Sequence, residues 1–148
     1  MGRIQLALNV DDVDAAVAFY GKLFSTEPAK RRPGYANFAV ENPPLKLVLI
    51  ENPGSGGTLN HLGVEVATTD EVAEASARLA GQGMDTREEA GACCYALQEK
   101  VWVSDPDGAP WEVYTVLADA SQMDAGAGCC APQDPAEGVA ETAGSACC

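Results

Sequence analysis

The sequence is poor in positive charge and has no long apolar run. Nine Lys and Arg stand against 22 Asp and Glu, a formal net charge of −13. Such a surface repels polyanions, which excludes nucleic acid and anionic membranes as partners. No apolar stretch approaches the ~20 residues that cross a bilayer. Met1-Gly2-Arg3-Ile4-Gln5 lacks the apolar core of a signal peptide. The expectation is a cytoplasmic protein whose thiols stay reduced. Histidine is nearly absent, with His61 the only one. No cysteine stands alone and there is no CxxC: the six fall in three adjacent pairs, Cys93–Cys94, Cys129–Cys130 and Cys147–Cys148. Adjacent cysteines are poorly placed to bond each other. Two neighbouring thiolates do suit a soft, thiophilic centre.

The 148 residues fit one domain, and the 47% hydrophobic content is enough for a core. Ile4–Val10 alternates Gln5, Ala7 and Asn9 against Leu6, Leu8 and Val10, the pattern of a half-buried strand. Asp11-Asp12 can cap a helix that places Val13, Ala16, Val17, Tyr20, Leu23 and Phe24 on one face. Strands are expected at Ala29–Arg32, Tyr35–Val40 and Leu45–Glu51, and a flexible linker at Asn52–Gly57. The order then repeats. A strand at Asn60–Val66 precedes a helix with a Thr68/Glu71 capping box, and strands follow at Thr86–Glu89, Tyr95–Val103 and Trp111–Leu117. The chain therefore reads as α+β, two βαβββ modules at 1–52 and 58–117. Residues 118–148 hold five acids, no Lys or Arg and no aromatic residue, so a disordered acidic tail carrying two Cys pairs is expected there.

Four motifs carry a resemblance: Gln5-x-x-Leu8-Asn9-Val10-Asp11-Asp12, Phe19-Tyr20-x-x-Leu23-Phe24, Asn60-His61-Leu62-Gly63-Val64, and Asp105-Pro106-Asp107-Gly108-x-x-x-Glu112. In this order the chain resembles the vicinal oxygen chelate superfamily of glyoxalases, extradiol dioxygenases and bleomycin-resistance proteins. Within it, Cys93–Cys94 makes the chain most similar to the carbon–arsenic lyases of arsenic resistance. The resemblance implies an open, barrel-like cleft whose metal ligands project from strands, here Gln5, His61 and Glu112. Many relatives place histidine where Gln5 stands, and an amide oxygen is a weaker, harder ligand. One His, one carboxylate and one amide leave positions open on an octahedral ion, which favours Fe(II) with dioxygen as co-substrate. His61 and Glu112 would then be catalytic as well as ligating. Glu112, flanked by Trp111 and Val113, needs a partner or metal to offset desolvation.

Cys93 and Cys94 are the expected substrate ligands. A hydrolysed trivalent organoarsenical offers two exchangeable oxygens, which two thiols replace while the As–C bond stays intact. The Gly91-Ala92 segment before them reads as a mobile loop, poorly suited to burial. Tyr95, Lys100 and Trp102 lie near the same strand and are candidates to line the pocket or set substrate shape, but Trp102 reads first as core packing and Lys100 as a solvated charge; Glu65 reads as a salt-bridging surface residue outside the site. The implied activity is Fe(II)-dependent C–As cleavage that demethylates or dearylates the arsenical to arsenite. A non-catalytic organoarsenical-sequestering protein and an extradiol ring-cleavage dioxygenase are the competing readings. The modules pair within or between chains, which leaves a homodimer open.

Overall fold

The computed structural model describes residues 2–120. The Cys129–Cys130 and Cys147–Cys148 pairs, and most of the expected tail, lie outside the described residues. The elements run β1 (Arg3–Val10), α1 (Val13–Phe24), β2 (Lys30–Arg32), β3 (Tyr35–Val40), β4 (Leu45–Glu51), β5 (Thr58–Glu65), α2 (Thr69–Gly81), β6 (Arg87–Cys93), β7 (Ala96–Ser104) and β8 (Pro110–Asp119). This is the duplicated βαβββ order. β8 runs to Asp119, two residues beyond the expected end at Leu117, and the Ala120 amide donates to the Tyr95 carbonyl.

All the strands of the described residues form one mixed sheet, ordered β2-β3-β4-β1-β5-β8-β7-β6. Within each module the first and last strands pair in parallel, β1 with β4 and β5 with β8, and the modules join through antiparallel β1 and β5. The sheet curls until its edges meet. Lys30 on edge strand β2 donates to the Tyr95 carbonyl just past edge strand β6, and pairs with Asp119 at the end of β8.

Both helices begin where the sequence offers caps. The Asp12 carboxylate accepts from the Asp14 and Ala15 amides at 2.8 and 3.0 Å, and Thr68 with Glu71 forms the capping box. α1 packs Val13 and Val17 against Ala36, Phe38, Leu47 and Leu49, with Leu6 and Leu8 at the margin. Leu23, expected on that buried face, is exposed. α2 packs Val72, Ala75 and Leu79 on Val101. The expected linker is tied down, because Asp11 Oδ1 accepts from the Gly54 and Gly56 amides at 2.8 and 3.0 Å.

β1 shows how the two faces divide. Gln5, Ala7 and Asn9 are buried, whereas Leu6, Leu8 and Val10 are only half-buried against α1. The polar parity faces the inside of the curl. The same inversion recurs on β7, where Gln98 and Lys100 are buried and Leu97 is exposed.

Candidate active site

Strand register assembles the inner face. Gln5 on β1 stands opposite Gly63 on β5, and Gly63 stands opposite Glu112 on β8. Gly63 has no side chain, so Gln5 and Glu112 meet across it, with Gln5 Nε2 2.6 Å from Glu112 Oε1. A Cβ built on Gly63 would lie 3.0 Å from Glu112 Cγ and 3.3 Å from both Gln5 Cβ and Tyr114 Cε1. His61 pairs with Ala7 one step along the strand. Its Nε2 is 3.0 Å from Gln5 Nε2 and 3.3 Å from Glu112 Oε1. The three expected ligands therefore converge on one point, and each is at least 96% buried.

His61 is aimed by a bulge. The β1–β5 register shifts between Ala7 and Leu8, which skips Asn60. Asn60 Oδ1 then comes within 2.6 Å of His61 Nδ1, while Asn60 Nδ2 donates to Asn9 Oδ1. With its amide nitrogen committed, Asn60 can only accept from the ring. That places the proton on Nδ1 and turns the Nε2 lone pair toward Gln5 and Glu112.

Lys100 is not solvated, contrary to expectation. It is 4% exposed, and its Nζ stands 2.9 Å from Glu112 Oε2. β7 turns it inward on the same parity as Trp102, the strand neighbour of Glu112. Burial by itself would raise the Glu112 carboxyl; the Lys100 charge leads the causes that outweigh it and bring the group down to about 2. Burial would likewise lower Lys100, and Glu112 above all reverses this and holds it above the ordinary lysine range. Trp102 is buried as expected, but edge-on to His61 at 5.4 Å between centroids.

Behind Gln5 lies a second polar layer. The Tyr114 hydroxyl is 2.7 Å from Gln5 Oε1 and 2.8 Å from Glu65 Oε2. Arg3 grips Glu65 with two hydrogen bonds of 3.1 and 3.2 Å, and Lys46 Nζ adds a 3.3 Å ion pair. Glu65 makes the expected salt bridges, yet it belongs to the wall of the site. Burial would raise its carboxyl, but Lys46, Arg3 and Tyr114 together lower it. Burial, reinforced by Glu65 and Glu112, pushes the Tyr114 hydroxyl far up, so it keeps its proton.

The Cys93–Cys94 segment is a hairpin turn. Cys93 ends β6 and pairs with Ala96, leaving Cys94 and Tyr95 as a two-residue connection with φ of 48° and 61°. Such primed turns favour Asn-Gly, and non-glycine residues there carry strain of about 1–3 kcal/mol each. Contacts hold the strained turn down: Tyr95 packs on Tyr35, lies under the Arg32 guanidinium, and its carbonyl accepts from Lys30. Cys93 is 2% exposed and packs against Ala7, Tyr35, Val48 and Ile50, while Cys94 is partly exposed. This corrects the expectation of a pair unsuited to burial, because the turn folds into the inner face of the first module. The two sulfurs lie 3.3 Å apart, within hydrogen-bond reach of each other. The turn adjoins the convergence point, since Ala7 lies two residues from Gln5 and opposite His61. Cys94 also acts electrostatically on Lys100.

A sequence profile of the Glyoxalase/Bleomycin resistance protein/Dioxygenase superfamily matches residues 3–113. The chain belongs to this superfamily. It is 61% identical over 127 residues to the cadmium-induced protein CadI of Mycobacterium bovis, spanning 85% of this chain and 84% of that protein. It is 53% identical over 152 residues to the trivalent organoarsenical cleaving enzyme of Thermomonospora curvata, spanning all of both. Among solved structures, an extradiol ring-cleaving dioxygenase from B. fuscum superposes with a TM-score of 0.59 at 20% identity, over 83% of this chain and 35% of that one. That likeness shows the superfamily fold.

The donors present fit a divalent cation. Among the described residues no three His, Cys, Asp or Glu side chains could hold a metal, so an ion here must accept the amide as its third ligand. Adjacent donors on an octahedral ion with bonds of about 2.1 Å stand about 3 Å apart. His61 Nε2 and Glu112 Oε1, 3.3 Å apart, match that edge as they stand; the 2.6 and 3.0 Å spacings end on Gln5 Nε2 and would match it only with the amide oxygen turned to that place. Among the described residues Trp102 Nε1 is buried without a hydrogen bond, whereas Glu112 Oε2 is met by Lys100 Nζ at 2.9 Å. Lys100 therefore holds the Oε2 side and leaves Oε1 facing Gln5 and His61.

Proposed function

We propose that this chain is an Fe(II)- and dioxygen-dependent C–As lyase that releases arsenite from trivalent organoarsenicals. The observation that carries the reading is a vicinal thiol turn packed on Ala7, the strand partner of His61, in a fold that also buries an amide–imidazole–carboxylate cluster. The 53% likeness over full length to a trivalent organoarsenical cleaving enzyme supports the substrate class.

Cys93 and Cys94, both in the thiol form, condense with R–As(OH)2. Two As–S bonds form, two As–O bonds break, and two waters leave. The R–As bond survives. Gln5, His61 and Glu112 would hold Fe(II), which when bound supplies the dioxygen activation that oxidises the carbon–arsenic bond. Glu112 enters ionised at neutral pH because the Lys100 charge, above all, holds its carboxyl at about 2. Asn60 holds the His61 proton on Nδ1, away from the centre. The packed residues exclude bulk water from the cleft.

The test is anaerobic Fe(II) reconstitution followed by methylarsenite turnover with product identification. C93S/C94S should keep the fold and the iron yet lose turnover. Undiminished cleavage by that variant would refute the capture role.

The 61% likeness to a cadmium-induced protein favours a second reading, thiol-based sequestration of soft species. Stoichiometric, iron-independent binding without product release selects it.

A further inference from the structure

The outer end of the Gln5 amide meets an unusual partner. The Tyr114 hydroxyl has one proton and faces two acceptors, Gln5 Oε1 at 2.7 Å and Glu65 Oε2 at 2.8 Å. At the inner end, Gln5 Nε2 donates to Glu112 Oε1 and to the His61 Nε2 lone pair. That orientation suits a cleft without a cation, because an inward amide oxygen would face the Glu112 carboxylate at 2.6 Å. A cation between Gln5, His61 and Glu112 reverses the preference, since only the amide oxygen can ligate it.

We propose that Tyr114 and Glu65 are positioning residues that let the Gln5 amide turn its oxygen to the metal centre. In the turned amide, Nε2 donates to the Tyr114 oxygen and the Tyr114 proton goes to Glu65 Oε2. One Nε2 proton and the hydroxyl proton then each have an acceptor. The hydroxyl donates to Gln5 in one orientation and accepts from it in the other, without changing its protonation. Phenylalanine cannot do this. Arg3 and Lys46 fix the end of the relay: Arg3 grips both Glu65 oxygens, and Lys46 pairs with Glu65 while lying 4.8 Å over the Tyr114 ring. This relay also accounts for an amide at a position where an imidazole would need no such choice of ends. The inference rests on the metal-centre reading and adds the residues that make an amide a competent ligand.

The experiment is Mn(II) titration of the full chain, with free ion followed by electron paramagnetic resonance. Mn(II) is a hard ion that leaves the cysteine pairs aside. Y114F should bind about 10-fold or more weakly than the wild type, in the range set by residues that orient metal ligands. In the Q5A background the same change should cost nothing further, because no amide remains to orient. E65Q keeps the hydroxyl and weakens its acceptor; it should lower affinity in the same Gln5-dependent way, and it serves if Y114F fails to fold. A wild type that does not bind Mn(II) removes the metal-centre reading and the relay with it. A wild type that binds, with Y114F and E65Q within twofold of it, overturns the relay alone. A loss that persists undiminished in Q5A/Y114F also overturns it, since that is the mark of a structural role.

Discussion

Replacing Lys100 by Met tests the electrostatic account of the centre. Lys100 and Glu112 are 4% and 2% exposed and 2.9 Å apart. Met keeps most of the volume and deletes the charge. The Glu112 carboxyl lies at about 2 rather than the ordinary 4.5, with Lys100 the largest lowering cause. At about 1.4 kcal/mol per pKa unit, that gap is worth about 3 kcal/mol of native stability. A carboxyl lowered in the folded state stabilises fully above about pH 4.5 and loses its contribution as pH falls toward 2. Without Lys100, burial dominates and drives the carboxyl upward, leaving a buried charge or forcing proton uptake. Breaking such a pair costs about 3–5 kcal/mol. Urea unfolding of chelator-treated protein at pH 7, 5 and 3 measures it. K100M should be less stable by about that amount at pH 7, with the difference from wild type narrowing at pH 3. K100M/E112Q, which removes both charges, should recover part of the loss. A K100M protein within about 1 kcal/mol of wild type at pH 7, or a difference that does not narrow on acidification, would refute the reasoning.

Three further outcomes are expected. G63A places a Cβ 3.0 Å from Glu112 Cγ; it should cost about 1–3 kcal/mol in urea unfolding and weaken Mn(II) binding, because the crowded atoms belong to the ligands. N60A frees His61 Nδ1 from its acceptor, and the Mn(II) dissociation constant should rise about 10–100-fold. T68A removes the α2 capping box far from the cleft; it should cost about 1 kcal/mol in thermal or urea unfolding and leave turnover per folded molecule unchanged.

The architecture was largely legible because the duplicated order is written in caps and turns. Asp12 and Thr68 start their helices where expected, and β3 and β4 have the expected bounds. The site was legible only in part. Gln5, His61 and Glu112 could be named from their repeated place in the two modules. Lys100, Tyr114, Asn60 and Gly63 could not, because hydropathy assigns a lysine to solvent and a tyrosine to the core without saying whom each faces. The available signal was parity. Lys100 and Trp102 share one face of β7, and Trp102 stands beside Glu112. The skipped residue Asn60 had no signal, since a bulge depends on the partner strand. The Cys93–Cys94 turn was misjudged for a related reason: Gly91 and Ala92 lie within β6, and the partners that bury Cys93 come from the other module.

The inversion of hydropathy along β1 and β7 connects these misses. Burying Gln5, Asn9, Gln98, Lys100 and Glu112 while leaving leucines at the margin opposes the hydrophobic effect, and a packed apolar face would be the more stable choice. The fold sustains it because nearly every buried polar atom finds a partner within the cleft. Among the described residues an exception is Trp102 Nε1, whose ring abuts His61. Lys100 keeps Glu112 ionised but occupies the Oε2 side, which leaves Oε1, beside Gln5 and His61, as the oxygen for an incoming cation. A cation at that point would be repelled by Lys100 and attracted by Glu112, so its affinity is set by the difference of two large terms. The neutral amide cannot add charge to that difference. What it could add is an oxygen dipole with one of two directions, and on the relay proposed above Tyr114 and Glu65 would decide that direction.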